Sequence, residues 1–422
     1  MAGVALLDGS PRPVSVTGSS VAKVGVATAV TAVCGYLVLY LAARDLDPAG
    51  FSVFAVFWGA FGLVSGAAFG LLQQTTREVR LAAASTSDTL PRTHPMRVAA
   101  AVGAAAAAAL AGSAALWAPH VFTDARLLSV ILLALGLAGV CLHATLLGSL
   151  AGVNQWSHYG ALMATDAVLR VAVAVATVVV GWGLVGFLFA TVAGAGSWLL
   201  MLALSPTARA AARLVARESP RSFLRGAAHA VAATGASAIL VMGFPVLLQA
   251  TSGGNLGAAG GVVILAVTLT RAPLLVPLTA MQGNMIAYFV DHGRELRALA
   301  RPGALVAALG VVAVLLAGLV GPWLMQVGFG AAYTVDGSLL AWLTAGAVAI
   351  ALLTVTGAAA VAAALHRAYS LGWVSATVMS ALLLTLPLPL ETRTVVALLC
   401  GPVVGIGVHV VALTYAAKGP PR

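Results

Sequence analysis

Within Ser157–Val180 (SHYGALMATDAVLRVAVAVATVVV) an acid and a base, Asp166 and Arg170, stand four residues apart in an otherwise apolar stretch. On a helix that spacing puts both on one face, where they can pair. Either charge alone at the bilayer centre costs roughly 2.5–3.5 kcal/mol on insertion scales, so such a pair marks a functional site by default. The competing reading is a neutralised pair that only pins neighbouring helices. A third charge, Arg271 in TLTRAPLL, is followed by Pro273 and Pro277. Proline removes a backbone donor and kinks a helix, so Arg271 is expected to face a watery cavity, with Asp166 a counter-ion for it as well as for Arg170. The three carry a formal net charge of +1 that an anionic headgroup would balance; the structural alternative is a salt bridge between halves. His143 and His409 could titrate and couple protons, although a lone histidine in an alanine-rich helix more often ties two helices together. Arg77, Glu78 and Arg80 close the second apolar segment, where they could receive a phosphate or simply anchor it in solvent.

The elements that must position these groups are membrane helices. The chain has 422 residues, 61% hydrophobic and 8% charged, with mean hydropathy +1.03; soluble domains carry roughly 25% charged residues. Windows of about 20 apolar residues, the length that crosses roughly 30 Å of hydrocarbon, fall at 21–43, 51–72, 97–118, 127–149, 159–180 and 182–204, then at 229–250, 256–280, 303–321, 337–360, 370–390 and 394–416. The Ala/Gly-rich windows 97–118 and 337–360 are the least distinct. The fold class is therefore an all-α integral membrane protein with about twelve transmembrane helices in two pseudo-symmetric six-helix bundles. Residues 1–20 form an N-terminal tail, 21–204 the first bundle, 205–228 a basic linker, 229–416 the second bundle and 417–422 a short tail.

Placing the N-terminus in the cytosol leaves only Arg44, Arg126 and Arg393 in outer loops, against seventeen basic residues on the inner side. That bias predicts both termini cytosolic. The linker SPTARAAARLVARESPRSFLRGAA carries arginines at 209, 213, 217, 221 and 225. This spacing of four would stripe a helix lying on an anionic leaflet, but Pro220 interrupts it, and a loop that fixes topology is the preferred reading of these charges.

The halves repeat. LAGVNQWSHYGALMAT at 150–165 can be set on AAALHRAYSLGWVSAT at 362–377, with Gly160 on Gly372, an offset of 212 that puts Val378 and Leu382 opposite Asp166 and Arg170. Near the same offset, 48–62 falls on 258–273. Six spans per unit give both halves the same orientation, so the symmetry axis runs along the membrane normal. Glycines at 62, 66 and 70, at 253, 257 and 261, and at 401 and 405 predict close helix packing.

Other chemistry is missing. Residues 1–20 carry Asp8, Arg12 and two prolines and have no continuous apolar core, so no cleaved signal peptide is expected and the first span is expected to serve as its own insertion signal. Cys34, Cys141 and Cys400 lie singly in apolar segments, which argues against disulfides or zinc. There is no GxxxxGK[ST] loop, HExxH, paired CxxC or GxSxG, so neither an enzyme nor a cofactor is expected. RDLDPAG at 44–50 is the nearest approach to a clustered acidic loop and reads as a turn.

Three stretches carry a resemblance. Ala43–Phe61 (ARDLDPAGFSVFAVFWGAF), residues 146–171 (LLGSLAGVNQWSHYGALMATDAVLRV) and residues 256–275 (LGAAGGVVILAVTLTRAPLL) resemble the polysaccharide-flippase branch of the multidrug/oligosaccharidyl-lipid/polysaccharide exporter superfamily. With the twelve spans, the likeness covers essentially the whole chain. It implies two bundles that open alternately to either face in a bacterial plasma membrane, moving a polyprenyl-diphosphate-linked glycan to the outer leaflet. It also implies cationic cavity residues for the diphosphate, carried here by Arg271, Arg170 and Arg77, and membrane lipids and glycan-assembly enzymes as partners. Nucleic acid is not expected as one. Two other readings stand beside it: a cation-coupled multidrug-type exporter, and a non-transporting membrane scaffold of a polysaccharide-synthesis complex.

Overall fold

A computed structural model describes residues 18–84, 93–291 and 296–418. The first half contains α1 (Gly18–Asp45), α2 (Pro48–Ala84), α3 (Pro95–Gly112), α4 (Ala114–Val121), α5 (Arg126–Gly152), α6 (Trp156–Val180), α7 (Gly183–Ala193), α8 (Ser197–Leu204) and the short α9 (Pro206–Ala212). The second contains α10 (Pro220–Val241), α11 (Phe244–Thr251), α12 (Gly257–Ala280), α13 (Gln282–Asp291), α14 (Ala300–Phe329), α15 (Gly337–Ala362), α16 (His366–Leu384) and α17 (Leu390–Lys418). Among the described residues, 11 helical segments are long and apolar enough to cross a membrane; α16, with 19 residues, makes the twelfth span. The chain is an all-α, multi-pass membrane protein of two six-helix bundles. Residues 1–17 of the N-terminal tail, the last four residues, and Arg12, Arg92, Arg294 and Arg422 lie outside the described residues.

Local chemistry sets the helix ends. Asp47 Oδ1 accepts from Gly50 N at 2.7 Å, and Pro48, whose missing N–H would be unsatisfied anyway, opens α2. Gly181, at φ 76°, ends α6. Ser205 and Ser219 cap α9 and α10, each followed by proline. No continuous arginine-striped helix therefore runs over 205–228. Arg209 lies on α9 and donates to the carbonyls of Leu202 and Ala203. Residues 213–219 are non-helical and Thr93 pairs with Ala216 across an antiparallel bridge. Arg221 and Arg225 already belong to the seventh span. A second correction is at α16, which stops at Leu384 rather than running to 390, because Pro387 and Pro389 follow.

The register of the repeat also differs from the sequence alignment. Asn154 at φ 59° and Ala364 at φ 60° hold the two equivalent left-handed turns. The same hydrogen bonds flank both: Gln155 N to Leu150 O and Leu365 N to Ala360 O, then Tyr159 N to Gln155 O and Tyr369 N to Leu365 O. The offset there is 210, not 212. The counterparts of Asp166 and Arg170 are thus Ala376 and Ser380, not Val378 and Leu382. Alanine- and glycine-rich segments permit a two-residue slip at little cost in matched residues, whereas a left-handed residue at a turn does not.

The bundles meet along α2. Its small-residue face lies against α10, where Gly62 and Gly66 approach Met242 and Ala238. At Gly70 a Cβ would run into the backbone of Ala230 and Val231. Gly261 of α12 fits the same way beneath the carbonyl of Pro48. In lipid, where apolar burial cannot drive association, such backbone proximity supplies the van der Waals contact that does. Further contacts join the opposite ends of the helices: Tyr40 with Phe329 at 5.6 Å and Phe51 with Tyr333 at 6.1 Å between ring centroids.

Candidate functional site

A cavity of about 420 Å³ lies between the bundles. The first bundle contributes Trp58, Phe61 and Ser65 from α2 and Asp166 and Arg170 from α6; the second contributes Ser237 from α10 and Tyr369 and Trp373 from α16. Asp166 and Arg170 are the only charged residues on its wall among the described residues.

The pair forms as the i, i+4 spacing predicts. Arg170 Nη2 lies 2.9 Å from Asp166 Oδ1 and Nε lies 3.1 Å from Oδ2, a bidentate fork. The third nitrogen, Nη1, donates to the carbonyl of Thr191 on α7, and the guanidinium sits 5.0 Å over the Phe61 ring. Side-chain exposures of 16% and 15% leave both groups mostly out of solvent. The short 3-10 turn Gly194–Gly196 between α7 and α8 makes room: a Cβ on Gly194 would collide with the Asp166 carboxylate and with Arg170 Nε.

Arg271 is placed differently. It is 6% exposed and sits behind the cavity wall rather than on it. Its Nη1 makes long hydrogen bonds to the carbonyls of Leu240 (3.4 Å) and Val241 (3.3 Å), and Val241 lines the cavity. The guanidinium lies 4.9 Å over the Phe244 ring, with Tyr36 of α1 within electrostatic reach. Nε and Nη2 have no hydrogen-bond partner among the described residues. Asp166 therefore does not serve Arg271: it pairs with Arg170, while the hydrogen bonds of Arg271 go to backbone carbonyls. Helix α12 runs unbroken through Pro273 and Pro277.

The remaining sequence candidates lie elsewhere. Arg77 is 65% exposed and pairs with the buried Glu78 at 3.2 Å, near the end of α2 and away from the cavity. His143 is buried inside the first bundle, 2.9 Å from Ser197 Oγ. His409 is buried inside the second, with Nδ1 3.0 Å from Thr356 Oγ1 and Nε2 3.2 Å from the Tyr369 carbonyl. Each bundle thus ties its fourth span to its sixth by one imidazole–hydroxyl hydrogen bond, with the histidine on the fourth span in one half and on the sixth in the other. Neither histidine lines the cavity.

Sequence reasoning does not single out Trp58, Ser65, Tyr369 or Trp373. The available signal is in α16, where Tyr369 and Trp373 stand four apart and so share a face of an otherwise small-residue span.

No protein-family model matches the chain. It is 68% identical over 401 residues to the uncharacterized protein Mb3654 of Mycobacterium bovis, covering 94% of this chain and 93% of that one. It is 64% identical over 395 residues to Rv1510 of Mycobacterium tuberculosis, covering 93% and 91%. Among solved structures, the inward-facing conformation of a multidrug resistance MATE family transporter of the MOP superfamily superimposes with TM-score 0.70 at 15% identity, over 95% of this chain and 100% of that one. The outward-facing conformation gives 0.64, covering 95% and 96%. A MOP superfamily transporter from Pyrococcus furiosus, described as having reversed binding-pocket polarity, gives 0.61 at 14% identity, covering 95% and 96%. The chain belongs to the family of these mycobacterial proteins, and its fold is that of MOP superfamily transporters.

Proposed function

We propose that this protein is a transporter that moves a polyprenyl-diphosphate-linked glycan from the cytosolic to the outer leaflet by alternating access. The observation that carries the reading is Arg271. A guanidinium stays charged in proteins, and a buried charge without a carboxylate partner is costly unless a ligand completes it. Nε and Nη2 form a planar pair of buried donors without a partner, which would suit a phosphate oxygen better than a single ammonium in a conformation that opens the wall to them. The glycan is polar and the lipid is not, so a path between the bundles can pass the headgroup while the tail remains in the bilayer.

The arginine-rich helix ends define the cytosolic face in this reading, with both termini on it. The higher superposition score with the inward-facing than with the outward-facing transporter, together with the ring contacts Tyr40–Phe329 and Phe51–Tyr333 at the far ends, supports a chamber closed toward the outer leaflet. Arg77, with the basic linker beside it, would be a first contact for the headgroup at the membrane surface. Glycan-assembly enzymes on the cytosolic side would supply the substrate.

A multidrug-type exporter of cations would need a carboxylate free to meet its cargo. Asp166 is committed to Arg170 through both oxygens, which disfavours that reading. The test is Arg271→Ala in a host lacking its own copy of the gene. Surface glycan should fall at least about tenfold with the protein inserted at normal abundance; unchanged surface glycan would overturn the proposal.

A further inference from the structure

We propose that the chamber between the bundles is a binding site for one uncharged sugar ring, separate from the cationic site at Arg271. This rests on the glycan-transport reading and deepens it: the sugar nearest the diphosphate is recognised as a neutral polyol.

Three features of the wall carry the argument. First, it is electrically closed. Arg170 gives Nε and Nη2 to Asp166 and Nη1 to Thr191 O, so the one charged pair on the wall among the described residues is neutral as a unit. An anionic sugar would find no cation here, and an ammonium no free carboxylate. Second, aromatic faces stand on both sides, Trp58 on α2 and Tyr369 with Trp373 on α16, the latter two packed edge to face at 6.5 Å. Flat apolar surfaces of this kind match the C–H face of a pyranose, and amphipathic rings with a few polar groups are the usual lining of a small-molecule site. Third, the unspent polar atoms are hydroxyl and indole groups. Ser65 Oγ is buried without a partner, and Trp373, 3% exposed, has an Nε1–H without an acceptor of hydrogen-bond geometry. The Tyr369 hydroxyl stands beside Ser237 and Trp373. By contrast Thr234, Ser237 and Thr354 return their hydroxyls to backbone carbonyls. Buried polar groups left unpaired are costly, so a ligand presenting hydroxyls is favoured over an apolar one of the same size.

The volume of about 420 Å³ lies at the lower end of the roughly 300–1,000 Å³ typical of small-molecule sites. It encloses the first sugar and leaves a longer glycan outside.

The experiment uses the full chain in lipid nanodiscs and three amphiphiles with the same octyl tail: octyl β-glucopyranoside, octyl β-glucuronide and octyltrimethylammonium. Binding is measured by equilibrium dialysis of labelled ligand, below the concentration at which each forms micelles. The neutral glucoside should bind at least about tenfold more tightly than either charged analogue. Trp373→Phe should weaken it by about tenfold, and Ser65→Ala by about threefold, in line with the loss of one hydrogen bond each. The small Ser65 change keeps the test valid if the tryptophan variant does not fold. Equal binding of the three would mean that only the tail partitions, and preference for the ammonium or the glucuronide would give the chamber the wrong chemistry; either result overturns the proposal. The two claims fail separately: glycan export lost in Arg271→Ala without a glucoside preference removes only the sugar site, and the converse removes only the diphosphate site.

Discussion

Arg170 and Arg271 are both bilayer-depth arginines stacked on a phenylalanine, at 5.0 and 4.9 Å, yet they stand in opposite electrostatic conditions. Arg170 has a bidentate carboxylate and a carbonyl, lines the chamber and is neutralised. Arg271 has two long carbonyl contacts, two free donors and no carboxylate. A bilayer penalises unpaired charge, so the first arrangement can persist for structure alone, whereas the second needs something further to complete it. The two halves make the same point. In the slot where α6 holds Asp166 and Arg170, α16 holds Ala376 and Ser380, and Ser380 Oγ reaches the Ala397 carbonyl at 2.9 Å as Arg170 reaches that of Thr191. A hydroxyl suffices to tie the fifth-type span of a bundle to its sixth, so the ion pair adds something that the tie does not require: a polar but neutral wall facing the chamber.

Substitutions at six positions sharpen or break this contrast. The largest effect is expected from Arg170→Met, which strands Asp166 and should lower stability by on the order of 3 kcal/mol, read as a drop in the thermal midpoint in detergent. Asp166→Asn should act in the same direction, while Asp166→Asn combined with Arg170→Met should recover much of the loss; failure to recover would mean that the pair is not the coupled unit described. Next, Gly194→Ala places a Cβ against the Asp166 carboxylate and should cost about 1–3 kcal/mol, as overpacking does. A normal midpoint in that variant would show that the turn between α7 and α8 yields freely. Arg271→Met should leave the midpoint unchanged or raise it by about 1 kcal/mol, because an apolar side chain replaces a poorly satisfied charge, while glycan export is lost. The smallest effect is expected from His143→Ala and His409→Ala, about 1 kcal/mol each for one hydrogen bond. The pH profile of transport should not move in either variant, since both imidazoles are tied inside a bundle. A shifted profile would restore a proton-coupling role.

Much of this architecture is written in the sequence because hydrocarbon thickness imposes a length on every apolar run. Each of the twelve windows overlaps a helix, and the ends depart where proline or a capping serine overrides hydropathy, at Pro220 and before Pro387, and where α2 and α14 run on past their windows to Ala84 and Phe329. The Asp166–Arg170 pair is legible because an i, i+4 spacing has one geometric consequence on a helix. The placement of Arg271 is not. Its neighbours Phe244, Leu240 and Tyr36 come from other spans, and whether a mid-span arginine points into a chamber or behind its wall depends on helix rotation, which the weak apolar periodicity of α12 leaves open. The chamber's aromatic side escapes the sequence for the same reason, since Trp58 and Trp373 become neighbours only through the meeting of the bundles.

The central claim is that Arg271 is held uncompensated for an anionic lipid headgroup. The direct measurement is the thermal midpoint of the wild-type chain and of Arg271→Met in nanodiscs, each with and without a polyprenyl diphosphate, since a ligand of the native state raises its stability with concentration. The account predicts a variant at least as stable as wild type when bare, and a lipid-dependent rise in wild type that the variant lacks. A bare variant markedly less stable than wild type, or one that keeps the full rise, would contradict it.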